Sequence, residues 1–245
     1  MLSVDLNCDM GEGYMNDDAI MPFISSANIA CGFHAGDYDT MMRTVESAIK
    51  HNVSVGAHPS FPDKKNFGRT NMHFSPGEVY EIVFEQISIL SRITKKFNLA
   101  LHHVKPHGAL YNMAAKDMDL ALAICKAIAD FDGKMILYGL SGSKLIAAAL
   151  QSGLQSRSEI FADRTYQDDG SLTPRSNENA LITDENISLM QVLRMIKESK
   201  VLTITGKEID IVAETICIHG DGDHAVQFAQ KIHREFKKEN IAVRS

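Results

Sequence analysis

The chain has 245 residues, 44% of them hydrophobic, no tryptophan and a formal net charge of −6. That length suits one α/β barrel, typically about 250 residues, and no apolar run is long enough to cross a bilayer. The acidic balance and scattered Lys/Arg residues exclude a nucleic-acid partner, which needs a clustered basic face.

The N-terminus, MLSVDLNCDMGEG, has no basic flank ahead of an apolar core, so the expected location is the cytoplasm, with no membrane partner. Cys8, Cys31, Cys125 and Cys217 form no C-x-x-C pair. They read as single buried thiols of a reducing compartment, not as disulfides or a cysteine zinc site.

Taken in chain order, short β-branched runs alternate with segments of helical period. The first strand is expected over 2–7 and runs into NCDMGEG, with Asn7, Asp9 and Glu12. The second, 26–31, contains Asn28 and ends in CGFHAGD before a helix over 39–50. The third, 53–57, runs into GAHPSFPD, and a helix over 76–98 starts sharply with Ser75 as cap, Pro76 next and Glu78 three residues after the cap. The fourth, 101–105, leads into VKPHGALYN ahead of a helix over 116–130. The fifth, 134–139, precedes a helix over 142–151. The sixth, 158–162, runs into FADRTYQDDG, followed by a helix over 187–200. VLTITGKEIDIV reads as a β-hairpin around Thr205-Gly206, and the last strand, 214–218, ends in IHGDGD.

The central residues Ile29, Val55, Val104, Ile136, Ile160 and Ile216 suit parallel strands covered on both faces. Seven βα units without a linker or repeat make residues 1–245 a single α/β domain.

Unusual polar residues begin where strands end, and in α/β folds active sites gather at the carboxyl ends of strands. His34, His58, His107 and His219 each follow a different strand, with Asp5, Asp9 and Glu12 nearby. These are the ingredients of a His/carboxylate metal site or of a general acid/base pair, and spacing alone does not separate the two. Lys105 and Arg164 supply positive charge for a carboxylate, a phosphate or a developing oxyanion. Asp37 and Asp221 equally suit helix caps, and the adjacent His102 and His103 receive no role. The phosphate loop G-x-x-x-x-G-K-[ST], the dinucleotide fingerprint G-x-G-x-x-G and the nucleophile elbow G-x-S-x-G are all absent.

The segments DLNCDMGEG, SSANIACGFHAGD, VGAHPSFPD, FGR, VKPHGALYN, EIFADRTYQDDGSLTPR and ICIHGD together resemble the LamB/YcsF family, which includes the A subunit of prokaryotic 5-oxoprolinase. The resemblance runs from residue 4 to about 228. It implies a TIM-like (β/α)7 barrel of the glycoside hydrolase/deacetylase type. It further implies ATP-dependent opening of L-5-oxoproline to L-glutamate, in a complex with subunits B and C, with ATP as co-substrate and Mg accompanying it. On that reading Asp9, Glu12, His34, His58, Lys105, His107 and Arg164 are the catalytic set: the carboxylates activate water, a histidine protonates the leaving nitrogen, and Lys105 and Arg164 neutralise a phosphorylated lactam oxygen. Asn7, Asn28, Asp163, His219 and Asp221 would contact substrate. A divalent metal, if used, would fall to Asp9, His34 and His58, in a metal-dependent amidohydrolase acting alone; a non-catalytic substrate-binding subunit is the third reading. The chain departs from the family pattern at Tyr38, at Thr70 and in GDGDHA.

Overall fold

The computed structural model describes residues 2–218 and 225–245. Period-two alternation shapes its strands. In β1 (Leu2–Met10), Val4, Leu6, Cys8 and Met10 enter the hydrophobic core, and Asp5, Asn7 and Asp9 face the other way. Next come β2 (Ser26–Ala30), β3 (Ser54–His58), β4 (His103–Val104), β5 (Ile136–Leu140) and β6 (Ser156–Phe161), each parallel to its predecessor. The expected hairpin forms a separate antiparallel pair, β7 (Lys200–Leu202) with β8 (Glu208–Asp210). Finally β9 (Thr215–Ile218) lies between β6 and β1, parallel to both, and closes a seven-stranded barrel. The expected TIM-like (β/α)7 architecture is therefore present.

The expected helices correspond to α2 (Tyr38–Lys50), α3 (Pro76–Thr94), α5 (Met118–Asp132), α6 (Lys144–Gln151) and α7 (Glu185–Glu198), with the short α1 (Asp17–Ile20) and α4 (Gly108–Ala114) between them. Ser75 and Glu78 form the full capping box of α3. Asp37 caps α2, accepting from the Thr40 N–H at 2.8 Å.

Three details differ from the sequence reading. The first strand continues to Met10, because Asn7–Met10 pair with Ser26–Ile29 of β2. The fourth shrinks to His103–Val104, although His102 and Lys105 still donate to the Val55 and Ala57 carbonyls of β3. A terminal helix α8 (Ala225–Lys238) and a strand β10 (Ile241–Val243) follow, and β10 pairs with Leu2–Val4.

The strands are covered on both faces as expected, but the barrel interior is largely polar. Inside, Asp5 is 1% exposed and accepts from Ser25 Oγ (2.6 Å), Ser26 Oγ (2.7 Å) and Thr215 Oγ1 (2.6 Å). His103 stacks on Tyr138 with centroids 4.1 Å apart, and its Nε2 pairs with Asn28 Oδ1 at 2.7 Å. That ring fills the space left by Gly56, its register partner on β3, where an added methyl would overlap the imidazole. Gly56→Ala should therefore destabilise the chain by about 1–3 kcal/mol, as overpacked interiors do. Urea denaturation measures this, and a wild-type midpoint would refute the packing argument.

Candidate functional site

Four side chains meet at the carboxyl end of the barrel. Glu12 follows β1, His34 follows β2, His58 is the last residue of β3, and His107 precedes the first turn of α4. One ligand atom from each lies within 4.8 Å of all the others.

Their hydrogen bonds fix which ring nitrogens carry protons. His58 Nδ1 sits 2.7 Å from the Lys105 carbonyl and His107 Nε2 sits 2.9 Å from the Phe67 carbonyl. Carbonyls only accept, so both nitrogens donate, which leaves lone pairs on His58 Nε2 and His107 Nδ1. Those two atoms face each other at 2.9 Å. Ser60 Oγ gives its hydrogen to the Phe61 carbonyl at 2.9 Å, so it accepts from His34 Nδ1, also at 2.9 Å. The His34 Nε2 lone pair then faces Glu12 Oε1 at 3.1 Å. Burial, against the pull of Glu12, holds His34 below the ordinary histidine value; burial, reinforced by His58 and His34, holds His107 well below it. The second nitrogens of three imidazoles thus turn toward one carboxylate, an arrangement that suits a cation in its midst.

Asp9 stands beside this cluster, its Oδ2 3.4 Å from His58 Nε2. Its other oxygen accepts from Lys105 Nζ at 2.9 Å and from the Asn28 amide at 2.8 Å. Lys105 is 2% exposed and also touches Glu159 Oε1 (2.9 Å), Asn7 Oδ1 (3.2 Å) and Cys217 Sγ (3.1 Å). Burial alone would lower its pKa, but Asp9, Cys217 and Glu159 hold the ammonium well above the ordinary lysine value. Glu159 is in turn bound by the Tyr111 hydroxyl at 2.7 Å.

A cavity of about 650 Å³ opens above, lined by Asp9, Glu12, His58, Lys105, His107 and Arg164. Asn7 and Asn28 are fully buried within the barrel and support Lys105 and Asp9 from below. Asp163 lies in the segment after β6, next to Arg164. His219 and Asp221 fall outside the described residues. The sequence reading missed Glu159 and Tyr111; the alternation of Arg157, Glu159 and Phe161 in β6 was the available signal.

Residues 4–245 match the model of the LamB/YcsF family. The chain belongs to that family. It is 54% identical to a 5-oxoprolinase A subunit from Shouchella clausii, covering 100% of this chain and 99% of the relative, and 50% identical to the one from Tolumonas auensis over the full length of both. The lactam utilization protein of Thermus thermophilus superposes with a TM-score of 0.93 at 42% identity, covering 99% of each chain. A deacetylase, T48, shares the fold at a TM-score of 0.52 and 10% identity, across 99% of this chain and 87% of its own.

In this LamB/YcsF chain the three imidazoles and Glu12 fit a divalent cation such as Zn²⁺, which favours nitrogen ligands and carboxylate. The expected metal residues were Asp9, His34 and His58; the geometry gathers Glu12 and His107 with the two histidines and leaves Asp9 on Lys105. Chelator-treated protein should take up one cation per chain by elemental analysis. Zinc at 100 times its Kd should stabilise the fold by about 2.7 kcal/mol. His107→Ala should abolish the shift, and an unshifted wild-type protein would refute the site.

Proposed function

We propose that this chain is the A subunit of an ATP-dependent 5-oxoprolinase, acting with subunits B and C to open L-5-oxoproline to L-glutamate as ATP becomes ADP and phosphate. Identity of 50–54% over the whole chain to 5-oxoprolinase A subunits carries this reading. A concave site at the barrel mouth, with carboxylates and imidazoles at its floor, supports it.

A lactam is a resonance-stabilised amide that water attacks very slowly, and phosphorylation removes that stabilisation. Transfer of the γ-phosphoryl group of ATP to the lactam oxygen releases ADP and makes the ring carbon electrophilic. Water adds to that carbon, losing its proton to a base. Collapse of the adduct breaks the C–N bond, the nitrogen takes a proton, and an acyl phosphate remains. A second water converts this to glutamate and phosphate.

Asp9 would be the base, with the Lys105 ammonium and the Asn28 amide both on one of its oxygens to fix its orientation. Once protonated by water, it can return that proton to the departing nitrogen. Lys105 shares three hydrogens among four acceptors, so its part is to charge and aim Asp9 rather than to leave its site. The inward lone pairs of His58 and His107 suit them to accept a proton or hold a cation, a poorer match to the acid role expected from the sequence. A divalent ion bound there would supply charge to polarise a carbonyl or a water.

The same cluster favours a second reading, a metal-dependent amidohydrolase acting alone. Co-expression with B and C, followed by an assay for glutamate from 5-oxoproline, separates the two. The complex should form glutamate only with ATP, and Asp9→Asn should lower kcat about 100-fold or more with assembly intact by size-exclusion chromatography. ATP-independent opening by the isolated chain would favour the second reading. No glutamate from the complex would overturn the first.

A further inference from the structure

Arg164 is 6% exposed, and no carboxylate of the protein lies within ion-pair distance of it among the described residues. A buried guanidinium ordinarily has an anionic partner, because desolvating it alone is costly. Two of its nitrogens are tied to backbone: Nε donates to the Ala180 carbonyl at 3.2 Å, and Nη2 to the Thr173 carbonyl at 2.5 Å. Nη1 donates to nothing in the described protein, and Arg164 lines the cavity. Burial and the nearby Arg175 push its pKa below the ordinary arginine value, against a weaker pull from Asp163.

A second, independent feature sits beside it. Thr173 is 0% exposed and lines the same cavity, yet its hydroxyl is one of three buried side-chain polar atoms without a hydrogen-bond partner among the described residues. The other two, on Ser143 and His233, do not line the cavity. An unused hydroxyl donor and an unused guanidinium N–H, both held by one short segment, make a site for a small anion. Leu140, Phe161 and Leu172 give the cavity wall an apolar part.

We propose that Arg164 and Thr173 form the subsite for the carboxylate of a lactam amino acid, so that the ring methylenes lie against Leu140, Phe161 and Leu172 and the amide reaches Asp9, Glu12 and His58. The assignment rests on the lactam-opening reading above and says which end of the substrate goes where. Nη1, the remaining Nη2 hydrogen and the Thr173 hydroxyl are a donor set that the two oxygens of a carboxylate can take up.

Thr173→Val is the informative variant, because it removes a hydroxyl that makes no bond within the protein and keeps the side-chain shape. In the assembled complex it should leave the melting temperature unchanged and raise the KM for 5-oxoproline about tenfold, with kcat falling less than KM rises. Arg164→Lys should act in the same direction. The carboxamide analogue, 5-oxoprolinamide, should be a poor substrate of the wild-type complex, and Thr173→Val should leave its KM within about twofold, there being no charge to lose. A wild-type KM for 5-oxoproline in Thr173→Val, or an equal rise for acid and amide, overturns the subsite while the function stands. A raised KM for ATP in place of 5-oxoproline overturns it in favour of a phosphate. A wild-type complex that neither binds nor opens 5-oxoproline overturns the lactam reading and the subsite together.

Discussion

Inside the barrel the carboxylates of Asp9 and Glu159 each lie 2.9 Å from the ammonium of Lys105, and the rest of the interior is arranged around that contact. Ions taken out of water cost several kcal/mol each unless paired and fully hydrogen-bonded. The interior meets this condition by tying every group to several others. Asn7 accepts from Lys105 and from Asn28 and donates to Glu159 and Thr215; Thr215 then donates to Asp5. None of the buried side-chain polar atoms lacking a partner among the described residues belongs to this network. Removing Lys105 would strand two carboxylates, which is why the network stands or fails as a unit.

The same residue links the network to the cluster above it. Lys105 Nζ holds Asp9, while the carbonyl of Lys105 fixes the tautomer of His58. His107 depends likewise on the Phe67 carbonyl, and the segment carrying it is locked in place by a close backbone approach: Ala109 N–H donates to the Gly68 carbonyl at 2.9 Å. Gly108, at φ +56°, must be glycine there, since a side chain would collide with that carbonyl. Backbone acceptors therefore aim the inward nitrogens of both rings, as outer-shell partners do in metal sites.

Much of this was readable from residue order. Strand and helix positions followed from periodicity, and polar residues collected at strand ends gave Glu12, His34, His58 and His107. The interior was harder. Ile29, Val55 and Ile216 suited strands covered on both faces, as they are, but only Asp5, Asn7 and Asp9, two apart in β1, carried the period that makes one of those faces polar. Which carboxylate joins the imidazoles was not legible at all. Asp9 and Glu12 are three residues apart, and only the path of the chain past Met10, with Gly11 at φ +71°, brings Glu12 over the cluster. The tautomers depend on carbonyls of Lys105 and Phe67, which no side-chain pattern reveals.

Charge around the cavity also bears on what binds there. Its lining carries Asp9, Glu12 and Asp117 against Arg69, Lys105, Lys116, Arg164 and Arg175, five cations to three carboxylates. The lining therefore attracts an anion, and a divalent ion among Glu12 and the imidazoles would strengthen that attraction. Repulsion by Asp9 and Glu12 alone cannot orient an acid there, because the Lys105 ammonium lies 2.9 Å from Asp9. Orientation falls to directional donors, and on the proposed function those are Nη1 of Arg164 and the hydroxyl of Thr173.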